Sequence, residues 1–162
     1  MALESVAAHA FVEAVCTRAE ASPMMRKPVV SEVELVPGVG VRGDVHAGRG
    51  DRQVTVLPAE VLDALQGEGF AVGPGDMGEN LVVRGLPEDT YRAHAVLVLA
   101  DGGALEVVEQ RTPCRELNDI APGLLKATVR RCGYFARVIQ GGRVRAGTSV
   151  RDATMYEAPL RP

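Results

Sequence analysis

Ala95-Val96-Leu97-Val98-Leu99, then the turn Asp101-Gly102-Gly103, then Leu105-Glu106-Val107-Val108-Glu109-Gln110 make two short apolar runs around a glycine-rich corner. Aspartate and glycine supply the backbone angles of a tight turn, so this stretch predicts a β-hairpin. Working outward, similar runs recur at close spacing. Residues 9–17 predict a first strand with faces Phe11-Glu13-Val15 and Val12-Ala14-Cys16, Cys16 being a small buried hydrophobe. Residues 19–27, with Ser22-Pro23, read as a loop. Residues 28–36 predict a second strand with Val29, Val33 and Leu35 inward. Further strands are expected over 52–57, 81–84 and 134–139, with 143–150 closing a hairpin around Gly141-Gly142. Pro58 suits the first turn of a helix with the stripe Val61, Leu62 and Leu65. A second helix is expected over 121–131, with Pro122 near its start. Roughly eight strands and two helices predict a mainly β fold. A closed or partly closed barrel would remove its unpaired edges. One domain over 1–162 is expected, with its core at about 10–152 and a tail over 153–162.

The 162 residues suffice for a substantial core, and 46% hydrophobic with 24% charged content is ordinary for a globular chain. No apolar run reaches membrane-spanning length. Met1-Ala2-Leu3-Glu4 lacks the basic start of a secretory signal, so a cytoplasmic location without membrane partners is expected. The net charge of −3 disfavours general nucleic-acid binding. Charge is unevenly spread: residues 1–110 hold 8 Lys+Arg against 17 Asp+Glu, whereas 111–151 hold 9 against 2. The basic stretch begins at Arg111-Thr112-Pro113-Cys114-Arg115. Sixteen of the 18 basic residues are arginines, a bias that GC-rich coding explains for most of them.

Cys16, Cys114 and Cys132 are odd in number and widely spaced, which disfavours a disulfide framework or an all-cysteine zinc site. Arg111 and Arg115 flank Cys114, and nearby positive charge lowers a thiol pKa. From its flanks alone, Cys114 reads equally as a reactive thiol or as an inert loop cysteine. Residues 37–51 form a long glycine-rich loop that is neither a Walker loop nor a dinucleotide fingerprint. Within it, His46 reads as a ligand, a proton donor or an anion contact, or simply as a turn cap. Arg52 and Gln53 follow, suited to a phosphate and a purine-like edge or to an ordinary polar strand entry. The second glycine-rich turn, 73–80, ends in Glu79-Asn80, readable as an anion nest with a heterocycle-reading amide or as an Asx turn.

Five pieces stand in order: Gly43-Asp44-Val45-His46-Ala47-Gly48; Arg52-Gln53-Val54; Pro74-Gly75-Asp76-Met77-Gly78-Glu79-Asn80-Leu81; Arg111-Thr112-Pro113-Cys114; and Gly133-Tyr134-Phe135-Ala136-Arg137-Val138 with Gly147. Together they resemble the MOSC family, the domain named after the C-terminal part of molybdenum cofactor sulfurases, over roughly residues 10–152. The resemblance implies a β-barrel-like fold that binds molybdenum cofactor (molybdopterin). It implies that Cys114 carries persulfide sulfur or ligates molybdenum, with Arg111, Arg115, His46, Arg52, Gln53 and Asn80 as cofactor contacts. Some relatives are molybdenum-dependent reductases of N-hydroxylated bases and amidoximes, which is the alternative function. The implied partners are a sulfur donor such as a cysteine desulfurase, a separate redox protein, or a molybdoenzyme acceptor. Two departures are Thr148 after Gly147, where aspartate is frequent, and Val45 before His46, where a basic residue is common. The pyridoxal-phosphate domain of the larger sulfurases has no counterpart in this sequence.

Overall fold

The structure, a computed structural model, describes residues 9–20 and 25–153. In chain order the strands are β1 (Phe11–Cys16), β2 (Val29–Val30), β3 (Val33–Val36), β4 (Gly40–Val41), β5 (Val54–Pro58), β6 (Leu81–Arg84), β7 (Val96–Leu99), β8 (Ala104–Gln110), β9 (Tyr134–Gln140), β10 (Gly142–Val144) and β11 (Val150–Asp152). The helices are α1 (Ala59–Gly67), α2 (Leu117–Ile120) and α3 (Leu124–Ala127), plus one 3-10 turn over Glu88–Thr90. An eight-stranded sheet runs β11-β7-β8-β9-β5-β6-β1-β2, and a three-stranded sheet runs β10-β3-β4. The hairpin expected around Asp101-Gly102-Gly103 forms as β7 and β8.

The fold is mainly β, but the sheets are open and their ladders do not close a barrel. Among the described residues an isolated bridge between Phe11 and Ser149 links β1 to the chain entering β11, supported by Val12 N donating to Thr148 O at 2.8 Å, Gly147 N to Val12 O at 2.7 Å and Val150 N to Ala10 O at 2.9 Å. One pair, β5 with β6, is parallel. Parallel neighbours need a crossover, and α1 with the turn at 73–80 supplies it.

Two apolar cores flank this sheet. One lies between the sheets and contains Val33, Leu35, Val41 and Val144 from the small sheet with Val54, Leu81, Leu105 and Val138 from the large one. The other lies under the helices, where Leu57, Val82 and Met77 meet Leu62, Leu65, Leu117 and Leu124. Strands β5 and β6 are therefore buried on both faces, which is why they read as continuous apolar runs.

Several expectations are corrected. The register of β1 shifts between Val12 and Ala14. This bulge puts Val12 and Val15 in one core and Ala14 and Cys16 in the other, instead of strict alternation. The run 28–36 is two strands in different sheets, and Val29 is 58% exposed instead of inward. Residues 121–131 do not make one helix, because Ala121 is extended and Gly123 lies at φ +84 between α2 and α3. Gly141-Gly142 does not turn a hairpin: β10 pairs with β3, while β9 lies between β8 and β5. Pro58 sits at the N-cap of α1, one residue before the first turn. The expected tail beyond 153 and the Ser22-Pro23 loop lie outside the described residues.

Candidate functional site

The two glycine-rich stretches meet at a buried carboxylate. Asp44 lies in the first, its side chain sealed from solvent. Its Oδ1 accepts from Thr17 Oγ1 (2.8 Å), Arg18 N (3.2 Å) and Asn80 Nδ2 (3.2 Å); its Oδ2 accepts from Lys27 Nζ (3.0 Å) and His46 N (3.0 Å). Burial would push this carboxyl up, but His46 and Lys27 outweigh it and hold Asp44 far below the usual carboxylate range. Lys27 is equally sealed, and burial pushes its ammonium down although Asp44 pulls the other way. Lys27 Nζ also lies 2.9 Å from His46 Nδ1, which is 3.6 Å from Asp44 Oδ2. Nδ1 thus stands between a donor, Lys27 Nζ, and an acceptor, Asp44 Oδ2, and its tautomer follows from which of the two it serves. Sequence reasoning gave Lys27 and Asp44 no role. Asp44 falls within the quoted piece Gly43–Gly48, whereas Lys27, beside Arg26 before Pro28, carries no comparable signal.

The second turn is fixed by its own backbone. A Cβ on Gly75 would lie 1.9 Å from Lys27 O, so only glycine fits there, at φ +82. Glu79 is fully buried; its Oε1 accepts from Gly75 N, while Oε2 has no hydrogen-bond partner among the described residues. Burial pushes the Glu79 carboxyl up, against the pull of hydrogen bonds and of Arg111. Arg111 Nη1 donates to Met77 O at 2.7 Å, tying the end of β8 to this turn.

A pocket of about 230 Å³ opens between these loops and the starts of β5 and β9. His46, Arg49, Arg52 and Arg111 line it, with Thr55, Gly78 and Phe135. Arg52 is held by Glu109 at 2.9 Å and lies 5.3 Å from the Phe135 ring centroid. Arg49, which sequence reasoning left unassigned, is exposed and has no ion pair among the described residues. The structure thus gathers His46, Arg52 and Arg111 from three separate segments.

The other expected residues are placed differently. Asn80 is fully buried, and its amide is spent on Thr55 N, Cys16 O and Asp44. It therefore holds the loops together and presents no edge to a heterocycle. Gln53 is also buried and turns away; its Oε1 accepts from Val138 N at 3.4 Å, and it does not line the pocket. Arg115 is exposed and outside the pocket lining. Cys114 is half-buried, outside the lining, and within reach of the Arg111 charge. Its thiol is pushed up, first by burial and then by a hydrogen bond and the charge of Glu116; the opposing pull of Arg111 is smaller. Flanking arginines alone therefore do not make Cys114 a thiolate. Burial pushes the Cys132 thiol up and that of Cys16 to about 12, so both are inert.

Comparison with known proteins follows the same residues. A family model described as "MOSC domain" matches residues 42–151. Among solved structures, the YuaD protein of Bacillus subtilis aligns with a TM-score of 0.76 at 19% identity, covering 88% of this chain and 94% of its own. YiiM of Geobacillus stearothermophilus aligns at 0.71 and 20% identity, covering 93% of this chain and 77% of its own. YiiM of Escherichia coli aligns at 0.64 and 24% identity, covering 89% and 69%. At these identities the likeness is one of fold. No curated protein matches the sequence.

Proposed function

This chain belongs to the MOSC domain family, and from that premise we propose that it binds molybdenum cofactor and that Cys114 carries its sulfur or ligates its metal. The family is associated with that cofactor. The observation that carries the reading is the convergence of His46, Arg49, Arg52 and Arg111 on one pocket in a chain of net charge −3. Such a cluster suits a phosphate. At about 230 Å³ the pocket is below the usual ~300–1,000 Å³ of a site enclosing a whole ligand, so it suits one anionic end. Gly78 lines the pocket at φ +81, where a Cβ would crowd Met25 O at 3.1 Å.

The donor set also fits. Among the described residues no three His, Cys, Asp or Glu side chains converge to hold a metal ion. A metal at Cys114 would then have one protein thiolate, its other ligands arriving with the pterin; thiolate is the soft ligand this requires. When bound, the cofactor supplies a molybdenum centre for oxygen- or sulfur-atom chemistry. Arg49 and Arg52 would hold its phosphate, and Arg111 would link that end to Cys114. His46, fixed by Lys27, would contact the same end.

In sulfur carriage, Cys114 reacts as the thiolate after giving its proton to water, Glu116 holding the resting form as the thiol. The Cys114 sulfur then bonds the terminal sulfur of a donor persulfide, such as that of a cysteine desulfurase. The donor S–S bond breaks, its thiolate leaves, and no net electron moves. The alternative, reduction of N-hydroxylated bases or amidoximes, draws electrons from a separate redox protein.

Protein expressed in a cofactor-competent host tests this by molybdenum and pterin analysis and by the mass of the Cys114 peptide. The wild type is expected to retain pterin, with either molybdenum or one extra sulfur. Cys114→Ser keeps pterin but loses the metal or the sulfur, and the Arg49→Gln/Arg52→Gln double variant loses pterin. Wild type without pterin, or Cys114→Ser indistinguishable from it, refutes the reading.

A further inference from the structure

The cofactor reading leaves unused a cavity that is larger than the basic pocket. It lies between α1, residues 86–91 and residues 130–134, and holds about 370 Å³, within the ~300–1,000 Å³ usual for small-molecule sites. It is distinct from the basic pocket: Tyr134 lines this cavity and Phe135, the next residue of β9, lines the other. Successive strand residues point to opposite faces.

We propose that this cavity is a second ligand site that takes a small planar aromatic carboxylate, its ring against Tyr134 and its carboxylate on Arg130. The walls are apolar, from Pro58, Val61, Ala64 and Leu86. Tyr91 and Tyr134 stack at a centroid separation of 4.9 Å and 8° between planes, which presents a fixed aromatic surface. Tyr91 is 6% exposed, and its hydroxyl has no hydrogen-bond partner among the described residues, an uncompensated donor at this wall.

The charges decide the ligand's sign and direction. Arg131 is committed to Glu68 at 2.7 Å, and Glu60 accepts from Gly85 N at 2.7 Å. Arg130 is exposed and has no ion pair among the described residues. It is also held at φ +64, a conformation that disfavours any side chain, so its placement runs against local preference. Glu88 also lines the cavity, and after burial its charge pushes the Tyr134 phenol up. An anion is repelled by Glu88 and drawn to Arg130, so the ligand has one orientation.

The test is an NMR titration of the full chain with 2-naphthoate, and with 2-naphthamide as its uncharged counterpart. Naphthoate is expected to give saturable shifts at Tyr91 and Tyr134, with His46 and Phe135 unmoved, and to bind about tenfold more tightly than the amide. Arg130→Gly, which suits the positive φ, weakens naphthoate about tenfold and leaves the amide unchanged; Arg130→Gln repeats the charge loss should the glycine variant fold poorly. No saturable shift, equal affinity for the two probes, unchanged naphthoate binding in both variants, or shifts at His46 and Phe135 instead would each overturn the proposal. None of these outcomes depends on molybdenum or pterin content.

Discussion

Cys114 stands between opposing influences on its proton. Arg111 and Arg115 suggest a thiolate; burial and Glu116 push the thiol the other way. Glu116→Gln is therefore expected to speed alkylation of Cys114 by iodoacetamide at pH 8 by about threefold or more, read as the modification rate of the Cys114 peptide. Glu79 was legible as part of a motif, but not as a buried acid with one oxygen unpartnered among the described residues. Its folded pKa is raised above the usual 4.5, so the folded state holds the extra proton. That contribution is complete below about pH 4.5 and is lost as pH rises through the folded value. Glu79→Gln should flatten the fall in Tm that sets in as pH rises above about 4.5 in thermal melts. Asp44 works in the opposite direction: its depressed pKa gives stability above the usual 3.8 that is lost as acid protonates it. Lys27→Met removes one of five donors to Asp44 and the donor beside His46 Nδ1. A loss of about 3–5 kcal/mol in urea unfolding is expected, together with a His46 ring protonated on Nδ1 in ¹⁵N spectra.

Strands bounded by glycine or proline read well from sequence because propensity and tertiary pairing agree. The hairpin β7–β8 and strand β6 fall within a residue or two of expectation. Runs with an internal break read badly, since the break is set by a partner elsewhere. Ser31-Glu32 looks like strand interior until β3 is seen paired to β10 more than a hundred residues later. The turn at 73–80 is the element that most directly carries the site. It takes Lys27 O against Gly75 and the Arg111 guanidinium at Met77 O. Gly75→Ala would drive a Cβ into Lys27 O at 1.9 Å. The chain must shift there, and a loss of about 3 kcal/mol or more is expected, with weaker protection of the Lys27 amide, which donates to Gly75 O.

At the scale of the molecule, one open sheet joins residues near both ends of the described chain. Strand β9 lies at its centre between β8 and β5, whereas only a few backbone bonds join β1 to residues 147–150. Hydrogen exchange should accordingly protect the amides of β5, β8 and β9 near the global limit and those of Val12, Gly147 and Val150 by at least about tenfold less. Equal protection across this seam would mean that it behaves as a closed ladder. The sequence by itself determined a mainly β chain, the positions of the glycine-rich loops and the residue types suited to an anion and a soft metal, because these follow from local propensity and side-chain chemistry. Only the tertiary structure decided which of those residues share a pocket. His46, Arg52 and Arg111 converge and Gln53 and Asn80 do not, because alternate strand faces and a buried carboxylate at Asp44, both products of long-range packing, set where each side chain ends.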